Sequence, residues 1–440
     1  MRRRAGLAWG LLFAFATVLA AAAEENWPQF RGPGGDGVAA NADPPVEWSE
    51  TTNIAWKVPI AGCGRSSPVI LGNRIWLTTA TPQGVKRTNI GGDDMQTATH
   101  VSIGAVCLDR TDGKSLWQVT LSEIDNPAPV HWFSSWATPT PVVEPGRLYC
   151  DFGTFGTACL DAETGKVLWQ QKLPLDHQVG PGSSPALCES LLILVRDGRN
   201  EQYVTALEKN TGQAVWKTNR PPLQGSGDQK KSFCTPLVIS SGGKTQIIVP
   251  GAQWVISYDA ASGKEIWRAH HSGNWSLASR PVFAHGMAYF STGCTKPVIC
   301  AVRVDGAGDV TNTHIAWKCP HQAPVMSSPL VAGGEIYWVS DAGVICCADA
   351  KSGAVHWQER VGGNFLASPV LASGRVYFFS QEGKATVLKA GKKFERLAEN
   401  QLAGTVVASP AALERTIFLR TDTHLYRVEA RSAPAPVQPF

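Results

Sequence analysis

The chain has 440 residues, with 40 lysines and arginines against 36 aspartates and glutamates, for a formal charge of +4 at pH 7. Arg2, Arg3 and Arg4 lie in the first 23 residues, which hold no acid, so the remainder carries only +1. A near-neutral chain has no basic footprint for nucleic acid, and none is expected as a partner.

The first element is a basic stretch, then an apolar run from about Ala5 to Ala20, then Ala21-Ala22-Ala23. This order predicts a secretory signal peptide over residues 1–23 and a periplasmic or secreted location. The run contains no lipobox cysteine, and no later stretch approaches about 18 continuous apolar residues, so no membrane span is expected after cleavage. Residues 24–52, including NWPQFRGPGGDGV (Asn26–Val38), are expected to form an N-terminal segment packed on the rest of the chain.

From residue 53 to 430 one phrase recurs. CLDRTDGKSLW ends at Trp117, CLDAETGKVLW at Trp169, ALEKNTGQAVW at Trp216, SYDAASGKEIW at Trp267 and CADAKSGAVHW at Trp357. A variant with a longer turn ends at Trp317, a degenerate copy at Phe394, and the half-copy NIAWKVP carries Trp56. Eight prolines alternate with them, each opening a short apolar run: Pro68, Pro139, Pro185, Pro236, Pro281, Pro329, Pro369 and Pro410. Each unit of about 40–50 residues reads as four strands, A to D from proline to tryptophan, with D-x-x-T/S-G-K as the C–D turn. The last unit lacks a fourth strand, and NIAWKVP lacks the three before it. The prediction is an all-β chain: one eight-bladed β-propeller over 53–430, built of four-stranded antiparallel blades and closed by the N-terminal strand. Trp56, Trp117, Trp169, Trp216, Trp267, Trp317 and Trp357 are expected to dock blade on blade. Residues 431–440, rich in proline, are expected to form a disordered tail.

Eleven cysteines in an exported chain suggest disulfides, but an odd number without any C-x-x-C argues against a regular framework. Two residues before the strand-C acid or its equivalent stand Cys107, Cys159, Ala206, Ser257 and Cys347. Two residues before each repeat proline stand Ser66, Ala137, Ser183, Cys234, Ser279, Ser327, Ala367 and Ala408. All are small, as a taper toward a propeller axis requires. The adjacent Cys346 and Cys347 are therefore read as packing residues, with a vicinal redox disulfide as the alternative.

With this phrase at steady spacing, the chain from about Trp27 to Ala430 resembles the PQQ-like propeller superfamily, which includes quinoprotein alcohol dehydrogenases and the assembly protein BamB. NWPQFRGPGGDGV, EWSETTNIAWK and GRSSPVI together are similar to the openings of exported PQQ-binding-like propellers. The resemblance implies a fold and leaves the activity open. For the enzyme members it implies PQQ with Ca²⁺ held by Glu, Asn and Asp, a catalytic Asp and a vicinal disulfide.

The D–A loops share the channel mouth with the B–C loops. They offer Arg65, His131, Trp136, Lys231, Trp275, Arg280 and His321 as ligand-binding candidates. Arg280 replaces the Ser or Thr that precedes the repeat proline in the other seven units, and could bind a carboxylate or phosphate bidentately. The insert Ala80–His100 is expected to lie over this face as a lid. The loops are too poor in acids to nominate a catalytic pair or a metal site. The expected function is a non-catalytic, monomeric platform for a protein, glycan or anionic small ligand at the loop face. A PQQ-dependent alcohol or sugar dehydrogenase is the first alternative, and a glycan hydrolase or lyase the second.

Overall fold

Short apolar runs joined by tight glycine turns can pair only with their sequence neighbours, and only antiparallel. The computed structural model describes residues 26–271 and 275–430, so the expected signal peptide and C-terminal tail lie outside the described residues. Within them, eight sheets follow one another along the chain, each built on four antiparallel strands. Their first strands are Val69–Leu71, Val142–Glu144, Ala186–Cys188, Leu237–Ser241, Val282–Ala284, Leu330–Ala332, Val370–Ala372 and Ala411–Leu413. Sheets 1 to 7 each use four successive main strands. Sheet 8 has three, ending with His424–Glu429, and takes its fourth from Ile54–Pro59. Among the described residues helix is confined to two single turns, Gly153–Phe155 and Gly227–Lys230. The insert in sheet 1 forms a hairpin, Lys86–Ile90 with Asp93–Thr97, whose second strand also pairs with Val130–His131.

The repeated tryptophan links neighbouring sheets. The indole N–H groups of Trp56, Trp117, Trp169, Trp216, Trp317 and Trp357 each donate to a carbonyl at the C–D turn of the next sheet, at 2.8–3.3 Å. At five of the six, all but Trp357, the turn glycine of that next sheet lies against the ring. A Cβ on Gly165 would sit 2.9 Å from Trp117, and one on Gly212 2.6 Å from Trp169. The glycine therefore serves both a positive φ and a close approach to the indole. Trp267 differs. Its N–H donates to Gln246 Oε1 at 3.1 Å within its own sheet, and Gln246 Nε2 donates to Val304 O of the next at 3.3 Å, so the glutamine relays the link. The loop VDGAGDV (Val304–Val310) then places Gly308–Asp309 as a short parallel strand beside Trp267–Arg268.

One of the small-residue columns has a different cause from the expected taper. Cys107, Cys159, Ala206, Ser257 and Cys347 lie on third strands, each directly opposite the tryptophan of its own sheet, with a β-bulge immediately after it. They are small because an indole and a bulge share the place. Cys346 and Cys347 are both unpaired and fully buried, and they fall in different apolar clusters. Burial pushes each thiol up to about 12, so they act as packing groups.

The N-terminal segment is a strap. Trp27 exchanges backbone hydrogen bonds with Ile70 of sheet 1 at 2.8 Å, and Pro28 accepts one from Val143 of sheet 2. Arg31, 2% exposed, donates to Pro329 O at 2.8 Å, and Val38–Ala39 pairs parallel with the first strand of sheet 7. Trp48 then stacks on Tyr377 and Phe379 before the chain enters sheet 8.

Two glycine substitutions separate the effects. Gly146, also at positive φ, has nothing within 4 Å of its missing Cβ. Gly146→Ala should cost about 1 kcal/mol from backbone strain alone. Gly212→Ala should cost about 1–3 kcal/mol more because the methyl strikes Trp169. Urea denaturation of the two variants measures the difference.

Candidate functional site

The residue before the proline that opens each first strand builds the centre of the molecule; in sheet 2 that proline is Pro141, directly before Val142, and not the expected Pro139. The backbone N–H of Ser67 donates to Thr140 Oγ1, that of Thr140 to Ser184 Oγ, and that of Ser184 to Thr235 Oγ1, at 2.9–3.0 Å. A second arc runs from Arg280 N to Ser328 Oγ, Ser328 N to Ser368 Oγ and Ser368 N to Ser409 Oγ, also at 2.9–3.0 Å. The arcs are interrupted where Arg280, with no hydroxyl to accept, follows Thr235, and among the described residues no such bond joins Ser409 to Ser67. A hydroxyl at six of the eight positions thus joins one sheet to the next around a common centre.

Above this belt lies a cavity of about 380 Å³. Phe30 of the strap, Phe133, Phe233 and Trp275 give it an aromatic lining, and Val325, Met326, Leu366 and Val407 add aliphatic surface. Arg65, His131, Lys231, Asp93 and Asp228 are its titratable side chains, with the exposed thiol Cys294. Arg65 is half-buried and its Nε is buried without a hydrogen-bond partner; burial lowers its pKa, the nearby Cys63 and Asp422 opposing. Lys231 is committed: its Nζ donates to Gln178 Oε1 and lies 3.5 Å from Asp228. His131 packs against Phe133 with ring centroids 4.0 Å apart and the rings tilted by 48°, and its pKa is lowered by burial. The inserted hairpin reaches the same cavity through Asp93.

Four of the seven sequence candidates, Arg65, His131, Lys231 and Trp275, therefore meet in one cavity. The other three do not line it. Trp136 is fully buried in the core and donates its indole N–H to Ala128 O at 2.9 Å. His321 is exposed, and its backbone carbonyl accepts the Trp338 indole N–H. Arg280, 2% exposed, is occupied by the strap: its guanidinium donates to Phe30 O and to Gln29 Oε1. A Cβ on Gly35 would strike that guanidinium, so the strap fills the place where a ligand was expected.

Sequence reasoning missed two buried ion pairs. Arg196 holds Asp151 through two hydrogen bonds of 2.7 and 3.0 Å. Arg220 Nε meets Asp197 at 2.7 Å and its Nη1 reaches Val249 O, so the two pairs join sheets 2, 3 and 4. Their only signal was the dipeptide Arg196-Asp197, which has no period. Phe30 and Gln178 were also missed, because neither belongs to the repeat.

A set of four-stranded sheets gathered around a central cavity defines a β-propeller. A family profile described as outer membrane protein assembly factor BamB matches residues 102–359 and again 251–432, and the chain belongs to that family. Over 146 residues it is 31% identical to the quinohemoprotein alcohol dehydrogenase ADH-IIG of Pseudomonas putida, covering 29% of this chain and 19% of that one. Over 260 residues it is 22% identical to the tetrathionate hydrolase of Acidithiobacillus ferrooxidans, covering 50% and 48%. The match thus spans about a fifth and about half of these relatives' lengths. The crystal structure of quinohemoprotein alcohol dehydrogenase from Comamonas testosteroni superimposes with a TM-score of 0.65 at 12% identity, covering 96% of this chain and 83% of that one. That likeness establishes the fold alone.

The calcium donor set implied for quinoprotein enzymes does not fit. Among the described residues no three His, Cys, Asp or Glu side chains stand close enough to hold a metal ion. The cavity carboxylates are Asp93 and Asp228, the second beside Lys231, and the adjacent cysteines are buried in sheet 6.

Buried imidazoles set a pH dependence. Burial lowers the pKa of His177 from 6.5 to about 4, with Arg196 assisting, and its Nε2 accepts the Thr154 N–H at 3.2 Å. His271 is lowered to about 3, again by burial. Between those values and 6.5 the unfolded chain binds more protons than the folded one, so stability should fall as pH drops from 6.5 toward 4. Thermal midpoints across this window should show the slope, and His177→Leu should flatten it.

Proposed function

We propose that this protein is an exported, eight-bladed, non-catalytic PQQ-like propeller that binds an anionic small molecule in its central cavity. The eight consecutive sheets and the strand from Ile54–Pro59 that completes the last one support the blade count and closure. The indole links from sheet to sheet support the tryptophans as docking residues. Export rests on the sequence of residues 1–23.

Arg65 is the observation that carries the ligand reading. Arg65 lines a largely apolar cavity, with a buried Nε lacking a partner and, among the described residues, no ion-pair carboxylate. Such a charge is expensive to maintain unless an anion completes it. The surrounding aromatic rings suit a flat organic body. The quinoprotein reading has in its favour the matched alcohol dehydrogenase of Pseudomonas putida, and against it the missing donor set.

PQQ, a flat tricarboxylate, serves as a probe for both readings. Calorimetric titration of residues 24–440 should give saturable binding that persists in EDTA and weakens about tenfold or more in Arg65→Gln. No dye-coupled oxidation of alcohols or sugars should accompany it. Binding that requires Ca²⁺ and is accompanied by such oxidation would establish the dehydrogenase instead.

A further inference from the structure

The belt hydroxyls have a second valence. In Thr140, Ser184, Thr235, Ser368 and Ser409 the oxygen accepts a backbone N–H from the preceding sheet. An oxygen so used still carries its own hydrogen as a donor. Among the described residues none of these five hydroxyls, nor that of Ser67, donates to a protein acceptor, although all six residues are at least nine-tenths buried and all line the central cavity. Thr138, which lines the same cavity, does spend its hydrogen, on Ser135 O. The belt therefore presents an inward set of unclaimed O–H donors on the same cavity as the unpaired Arg65.

Resting on the reading of that cavity as an anion site, we infer that these six cavity-lining hydroxyls form an oxyanion crown. It takes a sulfonate, sulfate, phosphate or carboxylate head group by O–H donation, with Arg65 supplying the countercharge. A group rich in acceptors suits the site, since each of these hydroxyls has a hydrogen to donate. The aromatic residues Phe133, Phe233 and Trp275 would then enclose the organic body attached to the head group.

Ser67→Ala tests the crown cleanly, because Ser67 Oγ takes no part in the belt and its loss leaves every inter-sheet bond in place. Thr140→Val combined with Thr235→Val removes two more donors at constant shape. Ser328→Ala is the matched control: it deletes a belt acceptor of the same kind, but Ser328 does not line the cavity. The probe is naphthalene-2-sulfonate, titrated calorimetrically into residues 24–440, with inorganic sulfate and phosphate as competitors. Binding should weaken about threefold to tenfold in Ser67→Ala and further in the double variant, and remain unchanged in Ser328→Ala. Displacement by sulfate or phosphate would identify a free oxyanion as sufficient; failure of both to compete would identify an organic anion. Either result supports the crown if the variant order holds. Wild-type affinity in Ser67→Ala and in the double variant, with loss in Arg65→Gln, would overturn the crown and leave the anion site standing. No binding of any of these anions, or of PQQ, would overturn both.

Discussion

Everything in this molecule depends on how one sheet grips the next. A four-stranded sheet with two apolar faces cannot stand alone, and the contact between faces is by itself non-directional. Direction comes from one hydrogen bond near the periphery, indole to turn carbonyl, and another near the centre, backbone N–H to belt hydroxyl. The two act at opposite ends of the same interface, so together they fix the angle between successive sheets as well as their spacing. The bulge beside each small third-strand residue makes room for the indole and so belongs to the same device.

Two departures from this scheme fall at one interface. Trp267 lacks the standard carbonyl contact and works through Gln246, and Arg280 breaks the hydroxyl arc, both between sheets 4 and 5. The neighbouring interfaces carry the buried pairs Asp151–Arg196 and Asp197–Arg220. Buried pairs of this kind contribute little net stability but punish any arrangement that separates them. Arg280 is recruited to another purpose: with Arg31 it holds the strap, using carbonyl oxygens where a carboxylate would be usual. The strap in turn places Phe30 in the cavity wall, so the shape of the candidate site is set partly by a segment outside the repeats.

The same division decides how much of the structure was legible in the sequence. The phrase ending in tryptophan is periodic because one interface is repeated, and periodicity let the strands, turns and the pairing of Ile54–Pro59 with His424–Glu429 be read directly. Arg65, His131, Lys231 and Trp275 were found because loops on one face of a repeat must converge. Trp136 was misplaced because a loop tryptophan and a core tryptophan have the same letter, and only the three-dimensional path buries it. Arg280 was singled out correctly as the odd residue of its column, but its partner is the strap, some 250 positions away in sequence and outside any repeat. The column of small residues was noticed and wrongly explained: the pattern showed a size limit without showing that an indole imposed it.

The strand Ile54–Pro59 also fixes an order of events. It pairs with His424–Glu429, so the join is made between segments separated by nearly the whole length of the chain. Loop-closure entropy makes such a contact slow, and it can form only after the sheets between have brought the ends together. A chain made from its amino end must therefore carry Ile54–Pro59 as an unpaired edge through the synthesis of seven sheets. During that interval the strand is a template for the wrong partner, whether another sheet or another copy. Its burial pattern alternates half-buried with exposed residues, and Lys57 lies at an exposed position, which weakens it as such a template. Assembly of this ring is then a problem of timing as much as of stability.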